Sequence, residues 1–124
     1  MLYAILCYDN EDIVTAWTQE EDDAVIAKLS VVTEKLQQAG RLGPVFRLLP
    51  TTAATTVRKG KDALVIDGPF AETKEQLLGV YIVDCEDLEE AVETAKDLAR
   101  ASSSHGCYEL RPLSLYLPQA PAAP

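Results

Sequence analysis

Basic residues are scarce in this chain. Eleven Lys and Arg stand against twenty Asp and Glu, for a formal net charge of −9. A nucleic-acid footprint needs a basic stripe, so that class of partner is excluded, and adhesion to anionic lipid is disfavoured. No apolar run approaches the ~20 residues that cross a bilayer. The first residues, "MLYAILCYDN", lack a basic n-region and carry only a short apolar run, so no signal peptide is expected. Cysteine is limited to three residues with no Cys-x-x-Cys, which fits a reducing cytoplasm better than a disulfide framework. One His and three scattered Cys give no metal-ligand spacing. No feature points to a cofactor.

What is present is an ordinary globular balance, 48% hydrophobic and 25% charged over 124 residues. It suits one domain, expected over residues 1–117, followed by a Pro/Ala tail over 118–124 ("PQAPAAP") with nothing to pack, expected to be disordered. "LYAILCY" (2–8) reads as a strand buried on both faces. "DNEDIVTAW" reads as a loop or short turn. Thr18 and Glu21 have capping-box spacing, acidic residues fill the next turn, and Val25, Leu29, Val32 and Leu36 form one stripe. The pattern predicts a helix over 19–39, stopped at Gly40. "RLGPVFRLLP" (41–50) reads as an edge strand, because Pro44 removes a ladder donor. "ATTVR" and "ALVID" read as a hairpin turned by "KGKD". "LLGVYIVDC" (77–85) is a second doubly apolar strand. Asp87 and Glu90 repeat the capping spacing before a helix over 88–101, and "CYELRPLSLYL" (107–117) reads as the last strand.

The order is β-α-β-ββ-α-β: an α+β chain resembling a ferredoxin-like sandwich with an added hairpin. Two helices cover one face of such a sheet. "LYAILCY" and "LLGVYIV" are apolar on both faces, so the other face also needs cover. A second copy of the sheet is the simplest cover, which predicts a homodimer packed sheet to sheet. Toleration of a few lightly covered apolar residues is the plainer alternative.

Between "ALVI" and "LLGVYIV" lies "DGPFAETKE" (67–75), longer than a usual hairpin connection. Gly68 admits unusual backbone angles, Pro69 fixes φ, and Phe70 is expected to pin the loop onto the core. A loop stiffened in this way holds its polar groups still, as a site requires. Those groups are Asp67, Glu72, Thr73, Lys74 and Glu75. Asp67 is the candidate base or polar anchor. The plainer reading is a stiff solvated loop whose Asp67 caps its own turn.

"DGPFAETKEQLLGVYIVD", with "ATTVRKG" before it and "ELRPL" near the end, resembles the DGPF branch of the YCII-related family. The first strand and the "WTQEEDDAVIAKLSVVTEKLQQAGRL" helix fit as well, so the resemblance covers about residues 1–113. It implies a ferredoxin-like fold dimerising as an α/β barrel, and a family with no settled biochemical activity. It also implies an association with RNA polymerase sigma factors of the extracytoplasmic-function type. In YCII-related proteins a His on the first helix and an Asp after the second have been proposed as an active pair. Here the first helix has no His and no Asp-Pro follows the second, so that pair is not carried over. The branch's own polar positions are: Arg58, Asp67, Glu72 and Lys74.

Arg58 can pair with Asp67 or clamp an anionic ligand, or form a surface ion pair of small worth. Trp17 can wall a ligand pocket or anchor the helix start. His105 can act as a base or be a solvated loop residue. In a ferredoxin-like sheet the first and third core strands are expected to run parallel at the centre, which collects Cys7, Cys85 and Cys107 near one sheet edge, as a thiol site or metal site or as packing. The expected partners are a second copy, a small anionic or carbonyl-bearing molecule held by Arg58 and Lys74 beside Asp67, and, as the rival, a sigma factor.

Overall fold

The structure, a computed structural model, describes residues 1–102 and 104–118; the expected tail falls, from residue 119, outside the described residues. Strand β1 (Leu2–Asp9) leads through a short helix α1 (Glu11–Thr15) into the long helix α2 (Gln19–Gln38). Strand β2 (Leu42–Arg47) and a single 3-10 turn at Thr51–Ala53 precede the hairpin strands β3 (Thr55–Val57) and β4 (Val65–Asp67). Strand β5 (Gln76–Asp84), helix α3 (Leu88–Ala101) and strand β6 (Cys107–Pro112) complete the order. The main sheet runs β2-β5-β1-β6, antiparallel throughout, and β3-β4 form a separate two-stranded sheet. This α+β arrangement is compatible with a ferredoxin-like fold.

The helices start and stop where their caps direct. Thr18 Oγ1 accepts from Glu21 N at 3.1 Å, and the Glu21 carboxylate accepts from Thr18 N at 3.3 Å, so the capping box forms in full. At the far end Gly40 sits at φ +70°, Gly40 N donates to Gln37 O and Arg41 N to Leu36 O. That pair of bonds is the Schellman arrangement, and a left-handed residue there favours Gly. Asp87 caps α3 by accepting from Glu90 N at 2.9 Å. Asn10 does the same for α1, accepting from Asp12 N at 2.9 Å, so the segment expected as a loop or short turn holds a five-residue helix.

Strand alternation sorts the core. Tyr3 and Ile5 of β1 and Val83 of β5 face the helices and pack with Leu36 of α2 and Ala91, Ala95 and Leu98 of α3. Ala4, Val80 and Ile82 form a second cluster on the opposite face, edged by Leu2, Leu6, Leu77 and Leu113. Both central strands are therefore buried on both faces, as their composition predicts. Arg41 fastens one end of the sheet to α3: Nε reaches Asp84 O at 3.0 Å and Glu90 Oε1 at 3.1 Å, and Nη2 reaches Thr94 Oγ1 at 2.8 Å.

Three expectations need correction. The central strands β1 and β5 are antiparallel, so Cys7 lies opposite Gly79 while Cys85 sits at the other end, bonded through its N–H to Met1 O. No common edge gathers the three cysteines. The last strand ends at Pro112 and not at 117, with one further backbone bond from Leu113 N to Leu2 O. Phe70 is 75% exposed and pins nothing onto the core of its own chain.

Candidate functional site

A cleft of about 680 Å³ opens between α2 and the helix-facing side of the sheet. It exists because β1 runs on past the packed core. Tyr3 and Ile5 lie under the helices, while Cys7 and Asp9, next on the same face, line the cleft. Tyr81 from β5 and Tyr108 from β6 flank them, their rings edge to face at 6.4 Å between centroids. Val25 and Leu29 of α2 and Val45 and Phe46 of β2 supply apolar walls, and Trp17, at the entry to α2, lines it too. An irregularity between Cys7 and Tyr8 leaves Leu78 unpaired with β1, and Leu78 also lines the cleft. Bulges commonly re-aim side chains at sites.

The floor combines one charge with several neutral donors. Asp9 is only 6% exposed, and its Oδ1 accepts from Asn10 N at 2.7 Å. Among the described residues no Lys, Arg or His forms an ion pair with it. Burial, then the neighbouring Asp9 charge, pushes the Cys7 thiol up to about 11. Burial likewise raises Tyr108 well beyond the usual phenol range, with Cys7, Tyr81 and Asp9 adding to it, and raises Tyr81. At neutral pH these three groups stay protonated and can donate hydrogen bonds. Cys7 is thus a poor nucleophile, since the thiolate is the reactive form. At the rim Arg47 Nη1 meets both Asp22 oxygens, at 3.2 and 3.3 Å, so the guanidinium is already engaged.

The residues singled out from the sequence fall in different places. Trp17 lines the cleft. Asp67, Arg58 and Lys74 are exposed and line neither this cleft nor its neighbour. Arg58 and Asp67 sit on adjacent hairpin strands but at opposite ends of the ladder: Arg58 N bonds Leu64 O, while Asp67 lies opposite Thr55. No ion pair joins them among the described residues. Glu72 lines a smaller cavity of about 350 Å³ beside the Asp-Gly-Pro-Phe loop, with Gly68, Pro69 and Thr73. Gly68 turns that loop at φ +96°. His105 is exposed. Among the described residues no three His, Cys, Asp or Glu side chains group as a metal site.

Glu11 links the two cavities by lining both. Its carboxylate accepts from Thr51 N at 2.8 Å and from the Thr51 hydroxyl, and its own N–H donates to Gln76 Oε1 at 2.9 Å. It therefore fixes α1 against the 3-10 turn and the start of β5.

Asp9, Tyr81 and Tyr108 were not among the candidates named from sequence, and Cys7 was named only with Cys85 and Cys107 as a thiol cluster or as packing. Asp9 read there as the start of a loop, Tyr81 and Tyr108 as members of strands far from it along the chain. One signal was available: period-two reading from Tyr3 places Asp9 on the buried face, an odd position for a carboxylate.

No helix among the described residues is long and apolar enough to cross a membrane. An uncharacterized protein, R00369, of Rhizobium meliloti (strain 1021) is 56% identical over 119 residues, covering 95% of this chain and 96% of that protein. The YCII-related domain matches residues 1–115, nearly the full length, and the chain belongs to that family.

Proposed function

We propose that this protein binds a small organic molecule in the cleft between α2 and the sheet, with the polar end of the molecule at Asp9. The observation that carries the reading is a buried carboxylate on the floor of a cleft of about 680 Å³ whose walls are largely apolar. Ligand sites have this make-up: an apolar body with few, fixed polar groups. Asp9 accepts, while Cys7, Tyr81 and Tyr108 donate, so the floor can orient a polar head and exchange protons with it. The site lies on the far side of Glu11 from the Asp-Gly-Pro-Phe loop. The loop then acts through the Glu11 and Gln76 bonds by positioning α1, and Asp67 is not its base.

The reading includes a homodimer, the ferredoxin-like halves completing an α/β barrel. Its support is the hairpin. An isolated two-stranded ribbon is marginal in water, yet Val57, Leu64, Val65 and Phe70 are 59–75% exposed. A second copy that covers them would stabilise the ribbon. The rival, a regulatory module docking on a sigma factor, draws on the same surface, and sedimentation of the pure protein separates the two. A pure chain that sediments as a monomer at tens of micromolar would favour the rival.

The test of the site is a thermal-shift screen of the native protein against a metabolite panel, beside Asp9→Asn. A ligand at about 100 times its Kd adds roughly 2.7 kcal/mol. The expected result is a compound that raises Tm in the wild type and less in the variant. A compound that stabilises both equally would place the site elsewhere, and a blank screen would remove the support for a ligand.

A further inference from the structure

The cleft carries a charge pattern that names a ligand class, and this inference rests on the reading of the cleft as a binding site. Three carboxylates line it, Asp9, Glu11 and Asp22, against one guanidinium, Arg47. Asp22 is taken by Arg47, and Glu11 by Thr51. Asp9 is left with one backbone donor, at 6% exposure. An ionised carboxylate withdrawn from water is costly unless a cation or several donors compensate it. Among the described residues no cation stands within ion-pair distance of Asp9; Arg47 lines the same cleft but is bonded to Asp22. A ligand can supply one.

We infer that the cleft selects an amphipathic amine, bound as its ammonium at Asp9 with its apolar body along α2. Two further features fit. Trp17, Tyr81 and Tyr108 line the same cleft, and aromatic faces attract cations that are leaving water. An anionic ligand would meet Asp9 directly, and the guanidinium it needs is already bonded to Asp22. The anionic ligand expected at Arg58 and Lys74 has no place here either, because neither residue lines the cleft.

The chain has one Trp, and it lines this cleft, so its fluorescence reports occupancy without a label. Three probes of matched shape are titrated at physiological salt: 3-phenylpropylamine, 3-phenylpropan-1-ol and 3-phenylpropanoate. The amine should bind the wild type at least about tenfold tighter than the alcohol, as a charge-assisted bond to a desolvated carboxylate would give. The acid should bind weakest. Asp9→Asn should bring amine and alcohol together by weakening the amine much more than the alcohol. The inference is overturned by an alcohol or acid that binds as well as the amine, or by an amine preference that survives in Asp9→Asn. In either case the cleft remains a site and only its charge preference is lost. If Asp9→Asn fails to fold by circular dichroism, the ranking on the wild type alone decides. Silence of all three probes overturns the amine inference. Only a blank metabolite screen as well removes the site.

Discussion

The sheet with its two long helices and the hairpin arm between β2 and β5 are built from similar residues and meet different fates. Ile5, Val83 and Leu98 of the body are completely buried, while every residue from Val57 to Asp67 in the arm is exposed. Both regions contain Val, Leu and Ile in extended or helical runs. What differs is the neighbour. In the body the helix-facing side of the sheet meets α2 and α3 of the same chain, and burial there yields roughly 1.5–3 kcal/mol per large side chain. In the arm, among the described residues, β3 pairs only with β4, and no helix packs extensively against the ribbon. Hydrophobicity alone therefore does not say whether a residue holds this chain together. In the proposed homodimer the arm's apolar side chains would be covered by the second copy.

Truncation separates the two regions most sharply. Leu98→Ala empties a fully buried position between α3 and the sheet, and should cost about 3 kcal/mol in urea unfolding. Phe70→Ala, measured at a concentration where the chain is monomeric, should stay within about 0.5 kcal/mol of wild type. Equal losses at the two positions would mean that the arm is packed after all. The proposed homodimer gives the next largest expected effect. Leu64→Asp with Val65→Asp places charge on the exposed ribbon and should raise the dimer dissociation constant at least about tenfold, or ~1.4 kcal/mol. Analytical ultracentrifugation reads that constant, and unchanged far-UV circular dichroism would show the body intact. A double variant that associates as tightly as wild type removes the hairpin from the interface.

The same contrast explains what the sequence could reveal. Local signals were legible where the structure is local: Thr18 and Glu21, Asp87, and Gly40 mark helix ends that the structure reproduces to within a residue. Pro44 marks the edge strand, and β2 is indeed outermost, with its register shifting between Leu42 and Val45. The cleft was not legible, apart from Trp17. Its floor joins residues 7, 9, 81 and 108, which meet only once the antiparallel order β5-β1-β6 is known. The assumption of parallel central strands would have sent Cys7 to the wrong neighbours. The conspicuous string "DGPF" belongs to a loop whose polar side chains are mostly exposed, so a distinctive string in this sequence does not coincide with a buried polar face.

A smaller effect probes whether the body's own local signals matter energetically. Thr18→Ala removes the hydroxyl that accepts from Glu21 N, leaves the bond from the backbone N of residue 18 to the Glu21 carboxylate, and should cost about 1 kcal/mol by chemical denaturation. Thr18→Ser keeps the hydroxyl and should restore most of the loss. Since Thr18 also lines the cleft, the alanine variant should weaken ligand binding only as far as it frays the start of α2. A loss confined to binding, with stability unchanged, would move Thr18 from cap to contact.

The smallest effect lies in the alkaline limb of the stability curve, and it distinguishes the cleft floor from the exposed arm. Cys7 is raised by burial from 9.0 to about 11. The unfolded chain therefore releases the thiol proton first, and rising pH favours unfolding between these values. The contribution is complete below pH 9 and is lost as pH climbs through about 11. Partial exposure keeps it modest, and Tyr81 and Tyr108, shifted in the same direction, share the decline. Cys7→Ala should flatten, not abolish, the fall of Tm across that range, whereas substitutions in the arm should leave its slope untouched. Alkylation gives an independent reading: labelling of Cys7 by iodoacetamide, mapped by mass spectrometry, should be slow at pH 8 and climb about tenfold per pH unit, because only the thiolate reacts. Rapid labelling of Cys7 at pH 8 in the folded protein would mean that the floor is open to water, and the desolvation that makes Asp9 an effective anchor would go with it.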